Sequence, residues 1–200
     1  MNGSFPILSV LVVLPLAAAL ALWLVKPLRA SARMVGLVTS LLELVLVVVA
    51  FTQFDVAHAG QVQLAELVPW IPRYGISWAL GVTGLGLAMI AMAAFLVVVV
   101  IIARDPKETD REWLWMSLVL SLLGVIVAVF AARDVFLFYV LFEVMLLPIY
   151  FLIGHFGGEQ RRRAAIKFLL YSLAGGLIML VGVISLYAFG PGGSEAFLID

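Results

Sequence analysis

The chain has 200 residues, 65% of them hydrophobic and 12% charged, with a formal net charge of zero and a mean hydropathy of +1.21. Soluble domains carry about 25% charged residues, so the composition is that of a membrane protein, and the neutral balance leaves no electrostatic footprint for nucleic acid. No cysteine is present, which excludes disulfides, thiolate-held iron–sulfur clusters and a cysteine nucleophile, and the two histidines, His58 and His155, stand in separate loops or span ends and predict no zinc or haem site.

A helical span needs about 20 mainly apolar residues. Six stretches qualify, at about Phe5–Val25, Met34–Phe54, Thr83–Ala103, Trp113–Ala132, Asp134–Gly154 and Ala164–Phe189. The fold class is therefore all-α, a polytopic transmembrane bundle within a single domain over 1–200. The first stretch lacks a basic leader and is followed by Lys26-Pro-Leu-Arg29. It reads as a retained span rather than a signal peptide, and Pro15 predicts a kink in it. The second carries Glu43, with Thr39 and Ser40 one turn earlier and able to hydrogen-bond it. Two readings of Glu43 stay open, a protonated structural acid or a contact with a partner subunit.

Residues 55–82 are too polar and too rich in proline to span. Pro69, Pro72, Gly75, Trp70 and Trp78 predict an ordered outer loop at the membrane interface, with a short hairpin around Pro72–Gly75. Further on, Gly84, Ala88, Gly175, Gly176 and Gly182 predict close helix packing. Arg133 and Asp134 are expected to form a solvated or interfacial pair of small energetic value.

Ten of the twelve lysines and arginines fall in the connections between spans one and two (Lys26, Arg29, Arg33), three and four (Arg104, Lys107, Arg111), and five and six (Arg161, Arg162, Arg163, Lys167). The other face holds Arg73 and Arg133. Basic loops stay cytoplasmic, which predicts an outside N-terminus in a bacterial plasma membrane.

Glu143 lies at the middle of the 21-residue run Asp134–Gly154. A charged side chain at that depth costs about 2.5–3.5 kcal/mol on insertion scales, so such residues face a protein interior or a water-filled path and mark ion or proton handling. The plain alternative is a protonated acid hydrogen-bonded between helices. Residues three, four or seven apart share a helix face, which groups Phe136, Tyr139, Leu147 and Tyr150 with Glu143. Pro148 removes the N–H that the Val144 carbonyl would use, and interrupted helices beside buried acids admit water at membrane depth. Lys167 opens the sixth span, followed by Tyr171 and Ser172. It reads either as a snorkelling interfacial lysine or as a relay charge continuing a polar stripe. Glu143 and Lys167 are thus the candidate proton path, with Tyr139, Pro148, Tyr150, Tyr171 and Ser172 in support and Glu43 as a further possibility.

The run Ala131–Gly154, with its Glu143–Pro148 spacing, resembles the fifth span of the antiporter-like membrane subunits of respiratory complex I, the chain M branch in particular. Ile166–Gly176 is similar to that family's sixth span, and Val68–Leu85 to the loop entering its third. The family has an acidic residue where this chain has Thr83 and a serine where it has Gly86. Its members have about fourteen spans, including a broken helix with a lysine after the sixth. The resemblance therefore implies the N-terminal part of an antiporter-like fold, and the chain is expected to be a fragment of a longer protein or a truncated product.

The function so implied is that of a proton-translocating membrane-arm subunit of NADH:quinone oxidoreductase, with Glu143 and Lys167 in the path. Its partners would be antiporter-like neighbours and the lipid bilayer. No cofactor is expected in this chain, since no glycine-rich phosphate loop follows a strand. The alternatives are a subunit of a multi-chain cation/proton antiporter and a truncated paralogue that only scaffolds assembly.

Overall fold

The computed structural model describes residues 5–105, 111–189 and 197. Lys107, counted above among the basic-loop residues, lies outside them, as do Leu198, Ile199 and Asp200. Six helices are long and apolar enough to cross a membrane: α1 (Ile7–Leu24), α2 (Ala32–Gln53), α3 (Gly84–Ala103), α4 (Glu112–Ala131), α5 (Val135–Phe156) and α6 (Arg161–Phe189). They run up and down in sequence, so that one end of the bundle gathers the basic connections. The other end carries an antiparallel hairpin of β1 (Gln63–Ile71) and β2 (Ile76–Val82). The helical bundle expected from composition is thus present, joined by this one small sheet among the described residues.

The hairpin follows from its turn chemistry. Pro72–Tyr74 form a single 3-10 turn, and Gly75 closes it at φ 69°, a conformation that costs glycine little. Pro69 sits where the register slips between Pro69 and Ile71, the irregular edge position a strand proline tolerates. β2 is the buried strand and touches the helical layer where Leu80 bridges to Ala132.

Helices α1 to α4 form the core. α4 is the most enclosed of the six and α6 the least. Leu8, Leu11, Leu87, Ile90, Leu123 and Val127 fill its hairpin half, and Leu22, Ile101, Met116 and Leu120 its basic half. Close approach depends on small residues, as packing in lipid requires. A Cβ on Gly124 would stand 2.9 Å from the Val12 carbonyl and 2.7 Å from Leu16 Cγ, and one on Gly36 would overlap Met116. Of the glycines expected to serve packing, Gly84 (against Ala59) and Gly176 do so, whereas Gly175 and Gly182 look onto open space. Pro15 is accommodated inside one continuous α1.

The ends of α1, α3 and α5 are satisfied in opposite senses at the two sides. At the hairpin end, Glu66 of β1 accepts hydrogen bonds from Leu8 N–H (2.8 Å), Ser9 N–H (3.1 Å) and the Ser9 hydroxyl. Thr83 caps α3 by accepting from Gly86 N–H (3.4 Å). Asp134 caps α5 by accepting from Leu137 N–H (2.9 Å). At the basic end, Arg29 donates to the Leu22 and Trp23 carbonyls (3.1 and 2.6 Å), Arg33 to Ile102 (3.3 Å) and Arg161 to His155 (3.3 Å). Oxygen acceptors meet helix N-termini and cations meet C-termini, the arrangement the helix dipole favours. Arg29 also lies 4.0 Å over the Trp113 ring and Arg104 4.0 Å over Trp115, contacts typical of an aromatic interfacial belt.

A further expectation fails at the start of α5. Asp134 is not a solvated partner of Arg133: its exposure is 0%, and besides capping α5 it accepts from Ser77 N–H of β2 at 2.9 Å. A buried carboxylate needs such donors, and this one ties the hairpin to α5.

Candidate functional site

Helices α5 and α6 pack as an antiparallel pair outside the four-helix core, and three contacts fix their register. Near the hairpin, Val183 of α6 shares one apolar cluster with Val135, Phe136 and Tyr139 of α5. At mid-depth, Oε1 of Glu143 rests on Gly176, where any Cβ would overlap it. Near the basic end, Gly154 approaches Ala165, with 3.6 Å from a built Cβ to the alanine methyl. Each step on α5 is matched by an equal step back along α6, as straight antiparallel helices demand.

Glu143 therefore points into a helix–helix seam. Its Oε1 is enclosed and accepts no hydrogen bond among the described residues, while the residue as a whole is half-buried. Tyr139, one turn toward the hairpin, is half-buried on the same face and tilts against Phe136 with ring centroids 6.4 Å apart. Tyr150, two turns toward the basic end and about 10 Å away along the axis, is half-buried with its ring edge-on to Phe151 at 5.3 Å. Ser172 lies one turn from Gly176 on α6 and is half-buried. The seam thus brings Glu143, Tyr139, Tyr150 and Ser172 onto one interface.

Two residues grouped with that stripe are elsewhere. Lys167 is exposed. Nine residues from Gly176, it is about 13–14 Å along the axis and half a turn around it, and no ion pair joins it to Glu143 among the described residues. Tyr171 is 78% exposed on that same outer side. Pro148 is buried within an otherwise continuous α5.

Glu43 is separate again. It is 0% exposed on the buried stripe of α2 that includes Gly36, Thr39, Ser40 and Val47. Neither carboxyl oxygen has a hydrogen-bond partner among the described residues, and Ser40 donates to the Leu37 carbonyl (3.1 Å) instead. The reading of Glu43 as a contact with a partner subunit is therefore corrected, because it faces the interior of its own bundle. Residues that sequence reasoning passed over are Gly36 and Gly124, which set the helix spacing, and Glu66, which ties the hairpin to α1. For Glu66 the only available signal was a lone acid in an interfacial loop. Among the described residues no group of three His, Asp or Glu is placed to hold a metal.

An open cleft of about 630 Å³ lies at the basic end of the α5–α6 pair, lined by Arg111, Tyr150, Phe151, His155, Arg161 and Ile166 among others.

Residues 132–194 match the family described as NADH:quinone oxidoreductase/Mrp antiporter, transmembrane. The chain is 36% identical over 191 residues to NAD(P)H-quinone oxidoreductase chain 4 of Gloeobacter violaceus, covering 95% of this chain and 36% of that protein. It is 37% identical over 216 aligned positions to NADH-quinone oxidoreductase subunit M of Mycobacterium tuberculosis, covering 92% and 39%. The fold superposes on a chain of respiratory complex I from Thermus thermophilus with a TM-score of 0.79 and 30% identity, over 96% of this chain and 38% of that one. The chain spans a little over a third of the length of these relatives. The resemblance read from the fifth and sixth spans is therefore shared by nearly the whole chain, including the first two spans.

Proposed function

We propose that this chain, whose residues 132–194 match the NADH:quinone oxidoreductase/Mrp antiporter transmembrane family, acts as a proton-translocating membrane-arm subunit of an NADH:quinone oxidoreductase. The observation that carries the reading is the placement of Glu143. One of its carboxyl oxygens, Oε1, is enclosed at mid-depth against Gly176, in a seam with Tyr139, Tyr150 and Ser172. Such a group exchanges a proton only when water or a neighbouring hydroxyl reaches it. The half-buried phenols at either side supply the polar steps. Redox chemistry resides in other subunits, and this chain contributes no cofactor. The free energy arrives by coupling, as a change in the seam that alters access to Glu143. Lys167, at the cytoplasmic rim, acts by passing protons toward the seam rather than by pairing with Glu143. The membrane is the bacterial plasma membrane, with the hairpin outside and the basic loops in the cytoplasm.

The test is NADH-driven acidification of inverted membrane vesicles carrying the assembled complex. Acidification that depends on NADH and collapses with Glu143→Gln supports this reading. The second reading, a multi-chain cation/proton antiporter, is favoured by the family's breadth, which includes Mrp antiporters. It predicts proton movement driven by a sodium gradient without NADH.

A further inference from the structure

We propose that the cleft at the basic end of α5 and α6 is a binding site for one anionic phospholipid, its phosphodiester headgroup held by arginines and its acyl chains lying along the two helices. The inference rests on the cleft and on membrane placement, and not on the proton path.

The mouth of the cleft is cationic. Arg111, Arg161 and Arg162 line it with His155, and among the described residues no carboxylate does. Glu159, on the turn before α6, is exposed and outside the lining. Arg161 is anchored by its hydrogen bond to the His155 carbonyl (3.3 Å), so one guanidinium is held in place. Guanidinium forks match phosphate oxygens in pairs of hydrogen bonds, which an ammonium group cannot do. The cleft lies where α5 ends and α6 begins, at the depth of lipid headgroups on the basic side, and basic pockets between spans on that side take anionic headgroups.

Below the arginines the lining turns apolar. Phe151 and Ile166 are 43% and 52% exposed, and the small pair Gly154 and Ala165 leaves a furrow between the helices. Charge above and hydrocarbon below is the order of chemistry in a phospholipid, not in a soluble anion. The volume, about 630 Å³, lies within the roughly 300–1,000 Å³ of pockets that enclose a small molecule. That is room for a glycerol phosphodiester and its first methylenes.

The experiment is native mass spectrometry of the full chain released from vesicles of equal phosphatidylglycerol and phosphatidylcholine. The expected result is one phosphatidylglycerol retained, about five-fold or more over phosphatidylcholine, with a fall of about five-fold for each arginine removed. Arg161→Gln with Arg162→Gln abolishes the preference. Arg163→Gln with Lys167→Gln, outside the cleft, leaves it intact. Added glycerol phosphate does not displace the lipid. Should the double variant fail to fold, Arg162→Gln alone lowers the preference by the single-arginine factor. No preference in the unmodified chain, equal loss in the control pair, or displacement by glycerol phosphate would each overturn the proposal, the last by revealing a site for soluble anions.

Discussion

Glu143 and Gly176 are in contact: the carboxyl oxygen Oε1 occupies the space that a side chain at position 176 would fill. A glycine in α6 is thus what lets an acid on α5 lie flat in the seam instead of turning out to lipid. Gly176→Ala should push the flexible carboxyl aside while leaving the helices packed. We expect assembly to survive, with a stability change of about 1 kcal/mol or less, and proton pumping to fall several-fold. Gly175→Ala, which meets open space, is the control and should pump normally. Equal pumping by both variants would show that the contact is incidental.

Glu66 holds the first span to the hairpin. Removing its carboxylate leaves the Leu8 and Ser9 N–H groups at the start of α1 without their acceptor and takes a negative charge from a helix N-terminus. Glu66→Ala should lower stability by about 1–2 kcal/mol, read as a drop in thermal midpoint in detergent, with Glu66→Gln intermediate. An unchanged midpoint in Glu66→Ala would contradict this account of the α1 cap.

Glu43 predicts a gain. A buried polar group without a hydrogen bond costs about 1–3 kcal/mol by protein mutational data. Glu43→Met, of similar length and apolar, should raise the thermal midpoint without loss of assembly. A fall instead would mean that the carboxyl is satisfied, for example by an ordered water.

The orientation can be checked directly. Single cysteines at the exposed positions Gln61 and Gln160 should react with an impermeant reagent from opposite faces of sealed cells or vesicles, Gln61 from outside. Labelling of both from one face would rule out the arrangement drawn from the basic loops.

The helices were legible because a bilayer leaves a run of about 20 apolar residues few alternatives. The hairpin showed through Pro72, Gly75 and the flanking tryptophans, whose chemistry is local. What the sequence withheld is long-range. Asp134 looked like a surface acid because the amide that buries it, Ser77 N–H, lies far off in the chain. Glu66 was passed over for the same reason, since the Leu8 and Ser9 amides it accepts from lie far off in the chain. Helical spacing correctly grouped Tyr139 and Tyr150 with Glu143, since one helix sets that geometry. It could not say which face of α6 meets α5. Lys167 and Tyr171 share a face with each other, and the contact at Gly176 turns that face outward.

The most direct test of the central claim is proton pumping by the assembled complex bearing Glu143→Ala, alongside Glu143→Asp, in inverted membrane vesicles. The account predicts an intact complex in both. Pumping and coupled NADH–quinone activity should fall by about ten-fold or more in Glu143→Ala, within the range for loss of a proton-transfer group. The loss in Glu143→Asp should be milder, because a titratable group remains in the seam with a shorter reach. Normal pumping by an intact Glu143→Ala complex would contradict it.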